Sequence, residues 1–322
     1  MFKKKVVCVL IFLLIGIMLT GFGTSHAQSE NKQVNITIGT AQSGGGWYPI
    51  GVAIANLLMK EVPEFKVSIG ISGGGFANVL NTDKGENEIG MTMTITSYDG
   101  FNGNPPFEVK YQNIRNVLIL SKQVGQYVVT KDSGIRTIDD LRGKRVNFYP
   151  KGWTAEIVAG MILKVYGLTY GDMKAQFMTT EEAINLIRDG HLDATLDFGG
   201  LGDGGLIELA MAREINLVNF EPEKIDQIVK LNTGLTPTTI PAGVYPGVDY
   251  EVNTFASQLH LIANANVPDD VIYKITKTII ENKDELGIVE PQLLEIEEKD
   301  MAVKVGIPNH PGAQRYFNER GW

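Results

Sequence analysis

Residues 116–130 read NVLILSKQVGQYVVT, two apolar strand-like halves on either side of the polar stretch 122–125. Runs of β-branched and large apolar residues of this length are typical of buried strands. A strand pattern that is interrupted in its middle is expected where a chain passes from one lobe to another. A second apolar stretch, residues 255–262, has the pattern of a strand that returns to the first lobe. Two crossings predict two lobes, the first of them discontinuous, with hinges near residues 122–126 and 254–258.

Outward from this crossing, short β-branched runs alternate with longer helical patterns. On the N-terminal side the predicted order is β-α-β-α-β, with strands at residues 35–39, 66–71 and 89–95. On the C-terminal side, strands at residues 145–149 and 193–198 are separated by further helical patterns. Alternation of this kind is typical of α/β domains.

Length and composition agree with two folded domains. The chain has 322 residues, of which 43% are hydrophobic and 20% charged, so intrinsic disorder is excluded. We predict a first lobe of residues 28–124 and 259–322, and a second lobe of residues 125–258. The net charge of -8 argues against a nucleic-acid partner.

The N-terminus has the features of a secretory signal peptide. Lys3, Lys4 and Lys5 precede an apolar run at residues 6–19, and small residues lead to Ala27. The apolar run is shorter than the about 20 residues that a bilayer-spanning helix needs. We therefore predict cleavage after Ala27, which makes residues 1–27 the signal peptide. An uncleaved anchor is the alternative.

The cysteine content agrees with export. The only cysteine, Cys8, lies inside the apolar run, without the small-residue motif that precedes a lipidated cysteine. Neither a lipid anchor nor a disulfide is therefore predicted. We expect a soluble protein in the periplasm of a Gram-negative cell.

Residues with catalytic spacing are scarce. The histidines are His26, His191, His260 and His310, and none is spaced as a metal-binding pair. No serine lies in a Gly-x-Ser-x-Gly turn after a strand. Residues 200–205 fit the glycine spacing of a dinucleotide-binding loop, but such glycines are expected at any strand-to-helix turn. We predict no catalytic residue, metal or cofactor.

Four polar, glycine-rich turns follow predicted strands, at residues 43–48, 72–76, 151–154 and 198–205. In open α/β sheets, ligands bind at the carboxyl ends of the strands, where helix N-termini and glycine N–H groups favour an anion. The turns therefore predict a site for a small organic anion, a carboxylate above all. The predicted ligand-binding residues are Ser43, Gly45, Gly46, Trp47, Tyr48, Gly74, Gly75, Phe76, Thr94, Thr96, Lys151, Gly152, Trp153, Thr154, Gly199 and Tyr245.

For two members of this set, the sequence allows two roles each. Lys151 is the one cation in these turns, and it either pairs with a ligand carboxylate or is a solvated lysine. Thr94 and Thr96 lie in an alternating run that predicts one shared strand face, which either lines the cleft or pairs across the sheet.

Several segments resemble one known family, the TAXI type of solute-binding protein that serves TRAP transporters. The resemblance covers nearly the whole mature chain. The segment around Lys144 is shared by many two-lobed binding proteins, whereas the others together are fairly specific. The segments are residues 44–49, 129–146, 166–170, 240–247 and 310–313, with Arg315 and Tyr316.

The resemblance implies an α/β fold of the periplasmic-binding-protein, type II-like class, in which each lobe is a mixed sheet flanked by helices. It implies a receptor, not an enzyme, that closes on an organic anion (amino-acid-like, or a keto or dicarboxylic acid). The receptor would deliver this ligand to the membrane subunits of a TRAP transporter. The alternatives are the binding protein of an ABC importer, a periplasmic sensor subunit and an exported enzyme.

The chain departs from the family at cleft positions. Residues 93–96 replace a more polar strand end, Lys151 and Trp153 replace small residues, and the glycines of 199–205 are unusually dense. Lys151 and Trp153 suggest a ligand that is bulkier or more strongly anionic than glutamate.

Overall fold

A computed structural model describes residues 33–43 and 46–322 of the chain. The predicted signal peptide and Gly45 lie outside the described residues. Within them, no helix combines the length and the apolar character that a bilayer crossing requires.

The described residues form one sheet of ten strands. The strands are β1 (Val34–Gly39), β2 (Phe65–Gly70), β3 (Ile89–Met93), β4 (Ile114–Thr130), β5 (Arg145–Asn147), β6 (Lys174–Gln176), β7 (Ala194–Gly199), β8 (Ile215–Leu217), β9 (Thr236–Ile240) and β10 (Val252–Asn264). The helices are α1 (Trp47–Glu61), α2 (Gly75–Lys84), α3 (Thr94–Asn102), α4 (Thr154–Val165), α5 (Thr180–Arg188), α6 (Gly204–Ala212), α7 (Pro222–Leu231), α8 (Asp269–Glu281), α9 (Lys283–Leu286), α10 (Gln292–Glu295) and α11 (Pro311–Arg320).

Two long strands occupy the centre of the sheet. The order is β2-β1-β3-β10-β4-β7-β5-β6, with β8 beside β4 and β9 beside β10. Strands β1, β2 and β3 run parallel to one another, as do β5, β6 and β7, whereas β4 and β10 are antiparallel to each other and to their neighbours. The central pair therefore joins two parallel groups of strands.

Each half of the sheet is covered on both faces. In β4, Leu118 and Leu120 enter a core under α1 and α8, while Ile119 enters a cluster on the opposite face. Further along β4, Tyr127 enters a core under α4, and Val128 a cluster under α5 and α6. This alternation is the two-residue period of a strand buried on both sides. We call the core that contains Leu118 the first core, and the core that contains Tyr127 the second core.

The structure corrects the predicted end of the third strand. We expected a strand over residues 89–95, but β3 ends at Met93 and Thr94 begins α3. The Ile95 N–H donates to Ser257 Oγ at 3.3 Å, and the Ile95 carbonyl accepts from Asn232 Nδ2 at 3.2 Å. Because these partners lie far along the chain, tertiary contacts override the local strand pattern. Thr94 and Thr96 thus lie in the first turn of a helix, not on one strand face.

Residues 233–250 are rich in proline and threonine, a composition typical of a loop, yet they contain a strand. This strand, β9, pairs antiparallel with β10. Pro237 is tolerated there because β9 has β10 as its only partner among the described strands and so lies at an edge.

Candidate functional site

The first turns of three helices come together at one point. Gly75 starts α2, and a Cβ added to it would lie 2.8 Å from Thr92 Oγ1 and 3.1 Å from Thr154 Oγ1. Thr154 starts α4, and its hydroxyl lies 2.8 Å from the hydroxyl of Thr96, in the first turn of α3. We call Gly75, Thr96 and Thr154 the three-helix junction. It brings together three of the residues predicted from separate turns.

The junction is electrostatically suited to an anion. The first turn of a helix has N–H groups without intrahelical partners, and its dipole favours negative charge. Thr96 and Thr154 are 4% and 6% exposed, so their hydroxyls are largely shielded from water. Among the described residues, no lysine or arginine is buried. An anion held here would therefore be held by N–H and hydroxyl donors without a buried cation.

The turn before α2 is shaped by glycine and serine. Gly74 has φ 89°, in the left-handed region that favours glycine. The Ser72 hydroxyl donates to the Thr40 carbonyl at 2.7 Å and accepts from the Gly74 N–H at 3.0 Å. Ser72 thereby fixes the approach of the chain to Gly75.

Thr94, by contrast, has its hydroxyl occupied by protein partners. Its Oγ1 donates to the Gly234 carbonyl at 3.1 Å, lies 2.9 Å from Ser257 Oγ, and accepts from the Gln258 N–H at 3.2 Å. This predicted ligand-binding residue links α3 to β10.

The first glycine-rich turn leads into α1. Ser43 and Gly46 are exposed, and Trp47 and Tyr48 are half-buried. Trp47 packs against both the first and the second core. The start of α1 at Trp47 therefore lies at the boundary between the cores.

Lys151 does not contact the junction. Its Nζ lies 4.5 Å from the centre of the Phe177 ring, a cation–π contact, and the side chain is exposed. Gly152 has φ 84° and donates its N–H to Glu156 Oε2 at 3.2 Å. The half-buried Trp153 ring lies 6.3 Å from the ring of Tyr149. This placement of Lys151 removes the sequence argument for a more strongly anionic ligand.

Two aromatic residues of the predicted ligand-binding set pack inside the halves of the molecule. Phe76 stacks on Phe107 with ring centres 4.3 Å apart. Tyr245 is 1% exposed, and its hydroxyl donates to Gln126 Oε1 at 2.7 Å. Gly199, also predicted as a site residue, is the last residue of β7.

A buried carboxylate lies near the end of β7, and sequence reasoning missed it. Asp197 Oδ1 accepts from the Tyr149 hydroxyl at 2.9 Å and from Thr180 Oγ1 at 3.3 Å. Asp197 Oδ2 accepts from Gln126 Nε2 at 3.0 Å. We call Asp197, Tyr149, Thr180, Gln126 and Tyr245 the carboxylate network. A charged residue within a predicted buried strand, ATLDFG, was the signal in the sequence.

Burial perturbs Asp197 strongly. The side chain is 5% exposed, and this burial raises its pKa to about 6, against the hydrogen bond from Tyr149, which lowers it. The nearby charge of Asp203 raises the pKa further. Tyr149 itself has φ 70°, a strained conformation for a bulky residue. Strain of this kind is concentrated at functional sites, which makes the network a candidate part of the site.

Two histidines, His260 and His310, have structural roles in the described part of the chain. His260 is fully buried between Ser97 and Asn116, with ring-nitrogen contacts of 2.9 and 2.8 Å, and burial lowers its pKa to about 3. His310 Nδ1 accepts from the Gly312 N–H at 3.2 Å and so caps α11. Within residues 33–43 and 46–322, no group of acidic, histidine or cysteine side chains could hold a metal.

Comparisons with known proteins extend over almost the whole described chain. The model of the NMT1-like family matches residues 38–321. MatC from Rhodopseudomonas palustris, solved with bound malate, is similar with a TM-score of 0.55 at 11% identity, over 88% of this chain and 98% of that one. A Bordetella bronchiseptica protein is similar with a TM-score of 0.50 at 16% identity, over 89% and 83% of the two chains. SsuA from Xanthomonas axonopodis pv. citri, an alkanesulfonate-binding protein bound to MOPS, has a TM-score of 0.49 at 15% identity, over 89% and 84%. The likeness to MatC confirms the predicted fold class, a mixed α/β fold of the periplasmic-binding-protein type.

Proposed function

The chain belongs to the NMT1-like family, and on that premise we propose that it is an extracytoplasmic solute receptor. It binds a small organic anion between two closing lobes and passes it to a membrane transporter. The observation that carries the proposal is the three-helix junction, where the first turns of α2, α3 and α4 meet.

The junction supports binding of a carboxylate. The Thr96 and Thr154 hydroxyls hydrogen-bond to each other, so one of them donates to the other. A ligand oxygen beside the pair can accept from the remaining hydroxyl proton and from the N–H groups of the helix starts. MatC holds malate, an organic acid, on a similar fold, and this agrees with the proposed ligand class.

Closure is the proposed mechanism. The lobes are residues 28–124 with 259–322, and residues 125–258, and they hinge within the central strand pair at 122–126 and 254–258. A ligand that contacts α2 and α3 on one side and α4 on the other has more contacts in the closed form than in the open one. It therefore shifts the population toward the closed form, which the membrane partner recognises.

The resemblance to TAXI proteins supports the membrane subunits of a TRAP transporter as the partner, and the predicted signal peptide supports a periplasmic location. An ABC importer and a sensor kinase are the alternative partners. Uptake that depends on a sodium gradient supports the TRAP assignment, and uptake that depends on ATP contradicts it.

A thermal-shift screen tests the receptor function. Mature protein, residues 28–322, is unfolded, dialysed free of ligand, refolded and mixed with amino acids, keto acids and dicarboxylic acids. A ligand at about 100 times its Kd adds about 2.7 kcal/mol to the free energy of unfolding, a rise in Tm of about 5 °C for a chain of this size. If no acid in the panel raises the Tm, the proposal is contradicted.

A further inference from the structure

A polar cavity lies in the half of the molecule that contains the second core, and its volume is about 200 Å³. Its wall includes Thr130 at the end of β4, Arg145 at the start of β5 and Asp193 just before β7. The three-helix junction lies beyond the opposite, carboxyl end of β5, because Thr154 begins the helix that follows this strand. The cavity is therefore separate from the junction, and it is large enough for a small ion with several water molecules.

Two arginine side chains meet on the wall of this cavity. Arg145 Nη1 donates to the Gly190 carbonyl at 2.8 Å. A Cβ added to Gly190 would lie 3.4 Å from Arg213 Nη1, so both guanidinium groups lie beside this one residue. The Arg145 and Arg213 side chains are 36% and 25% exposed, which leaves them open to a small solute but partly shielded from water.

Both guanidinium groups are held in place and still have unused donors. A guanidinium group has five N–H bonds. Arg145 uses three of them, two toward Asp193 and one toward a backbone carbonyl. Arg213 uses two, toward Asp132 Oδ2 at 2.8 Å and toward another backbone carbonyl at 2.8 Å. The remaining N–H bonds of both side chains have no hydrogen-bond partner in the part of the chain that the structure describes.

The cavity has a local surplus of positive charge. Arg145 and Arg213 are each paired with one carboxylate, that of Asp193 and that of Asp132. Lys144 adds a third cation, because its Nζ donates at 2.6 Å to a backbone carbonyl of the cavity wall. Among the groups that line the cavity or donate to its wall, three cations therefore stand against two carboxylates, which favours an anion over a cation.

Asp132 is a replaceable partner of Arg213. Its side chain is 70% exposed, whereas the side chain of Asp193, which holds Arg145, is 17% exposed. Exposed ion pairs contribute little to stability. A stronger acceptor can therefore take the place of Asp132 at Arg213 without disturbing the pair that fixes Arg145.

We propose that this cavity binds a small divalent oxyanion, and free inorganic phosphate above all. Two guanidinium groups beside one residue provide the paired N–H bonds that phosphate oxygens accept in a bidentate manner. The protein then has a second anion site at the end of the strands opposite the three-helix junction. Binding there requires neither the transported solute nor closure of the lobes.

Isothermal titration of phosphate into mature protein, in a buffer free of phosphate and sulfate, tests this inference. We expect saturable binding with a Kd of about 1 mM or tighter. Arg213→Gln should weaken this binding about tenfold or more, because it removes one guanidinium group and its charge-assisted hydrogen bonds. Asp132→Asn should tighten it, because it removes the competing carboxylate, and this variant decides the question if Arg213→Gln does not fold.

Two variants serve as controls. Arg188→Gln removes the same charge from an exposed arginine that binds Asn185 in the same half, and it should leave the affinity for phosphate unchanged. Thr154→Val changes the three-helix junction, and it should also leave the affinity unchanged. Loss of phosphate binding in Thr154→Val but not in Arg213→Gln would place the ion at the junction and overturn the inference.

The other outcomes are equally decisive. Absence of saturable phosphate binding, or equal affinity in the wild type, Arg213→Gln and Asp132→Asn, overturns the cavity site while the receptor function stands. Cosedimentation with phosphatidylglycerol vesicles that Arg213→Gln abolishes, without binding of the free ion, identifies a lipid headgroup as the phosphate source and overturns the assignment to free phosphate.

Discussion

At the scale of single residues, Asp197 makes stability depend on pH. Its pKa rises from its usual 3.8 to about 6 in the folded chain because the side chain is buried. Between those values the folded state keeps the proton that the unfolded state has lost. The free energy of unfolding therefore falls as pH rises from about 4 to about 6, by about 3 kcal/mol in total.

Asp197→Asn should remove this contribution. Urea unfolding of the ligand-free wild type and of the variant, at pH 4.5 and pH 7, gives the difference directly, because every other titrating group is common to both. We expect the wild type to lose more stability than the variant between the two pH values. Parallel losses would show that Asp197 does not titrate in this range.

Thr154 offers a second test at this scale. Thr154→Val keeps the shape of the side chain but removes the hydroxyl that faces Thr96 at the three-helix junction. One lost hydrogen bond to the ligand should weaken binding about tenfold, with little change in fold. Titration of the tightest acid from the screen measures this loss, and Thr239→Val, on the exposed edge strand β9, should retain wild-type affinity.

At the scale of elements, the start of α3 depends on the segment that precedes β9. A Cβ added to Gly234 would lie 2.4 Å from the backbone nitrogen of Ile95. Since backbone cannot move aside cheaply, Gly234→Ala should destabilise the fold by about 1–3 kcal/mol. Urea unfolding measures the change. Gly73→Ala, whose new Cβ meets only Ala77 at 3.8 Å, should be nearly neutral, and equal effects would refute the argument.

The elements also show how far sequence reasoning extends. Strand structure is predicted for both halves of β4 and for most of β10 because burial on both faces fills these stretches with apolar residues, but the polar residues 122–125 hide that β4 is one continuous strand. The start of α3 is missed because its determinants, Asn232 and Ser257, lie 137 and 162 residues from Ile95. Asp197 is missed for the same reason, since Gln126 and Tyr149 lie 71 and 48 residues away and no local pattern links them.

Some residues of the predicted site lie together as expected, whereas others make contacts that the sequence did not predict. The rule that helix starts gather at the carboxyl ends of strands predicts the placement of Gly75 and Thr154, because the two parallel groups of strands run in opposite directions and their carboxyl ends face each other along the long central strands. It does not predict Thr96, because the start of α3 was missed. The direction of a side chain is not contained in that rule. Lys151 on Phe177 and Tyr245 on Gln126 therefore emerge only from the structure.

At the scale of the whole molecule, the Thr96–Thr154 contact allows closure to be locked. Thr96→Cys/Thr154→Cys places two thiols where hydroxyls lie 2.8 Å apart, in a mature chain that is predicted to have no cysteine of its own. Oxidation should hold the ligand-free protein closed, and dithiothreitol should let it open, a difference in radius of gyration that small-angle X-ray scattering measures. Equal radii of gyration with and without reductant would contradict closure across this contact, and each single cysteine variant is the control.

Trp47 gives the molecule an optical property of its own. Its indole packs against both cores, so separation of the two cores would transfer one face of the ring from protein to water. The other tryptophans are Trp153 and Trp322, and replacing both with phenylalanine leaves Trp47 as the single emitter. Its fluorescence then shifts to longer wavelength on opening and returns on closure, a reporter of the receptor's state that needs no dye.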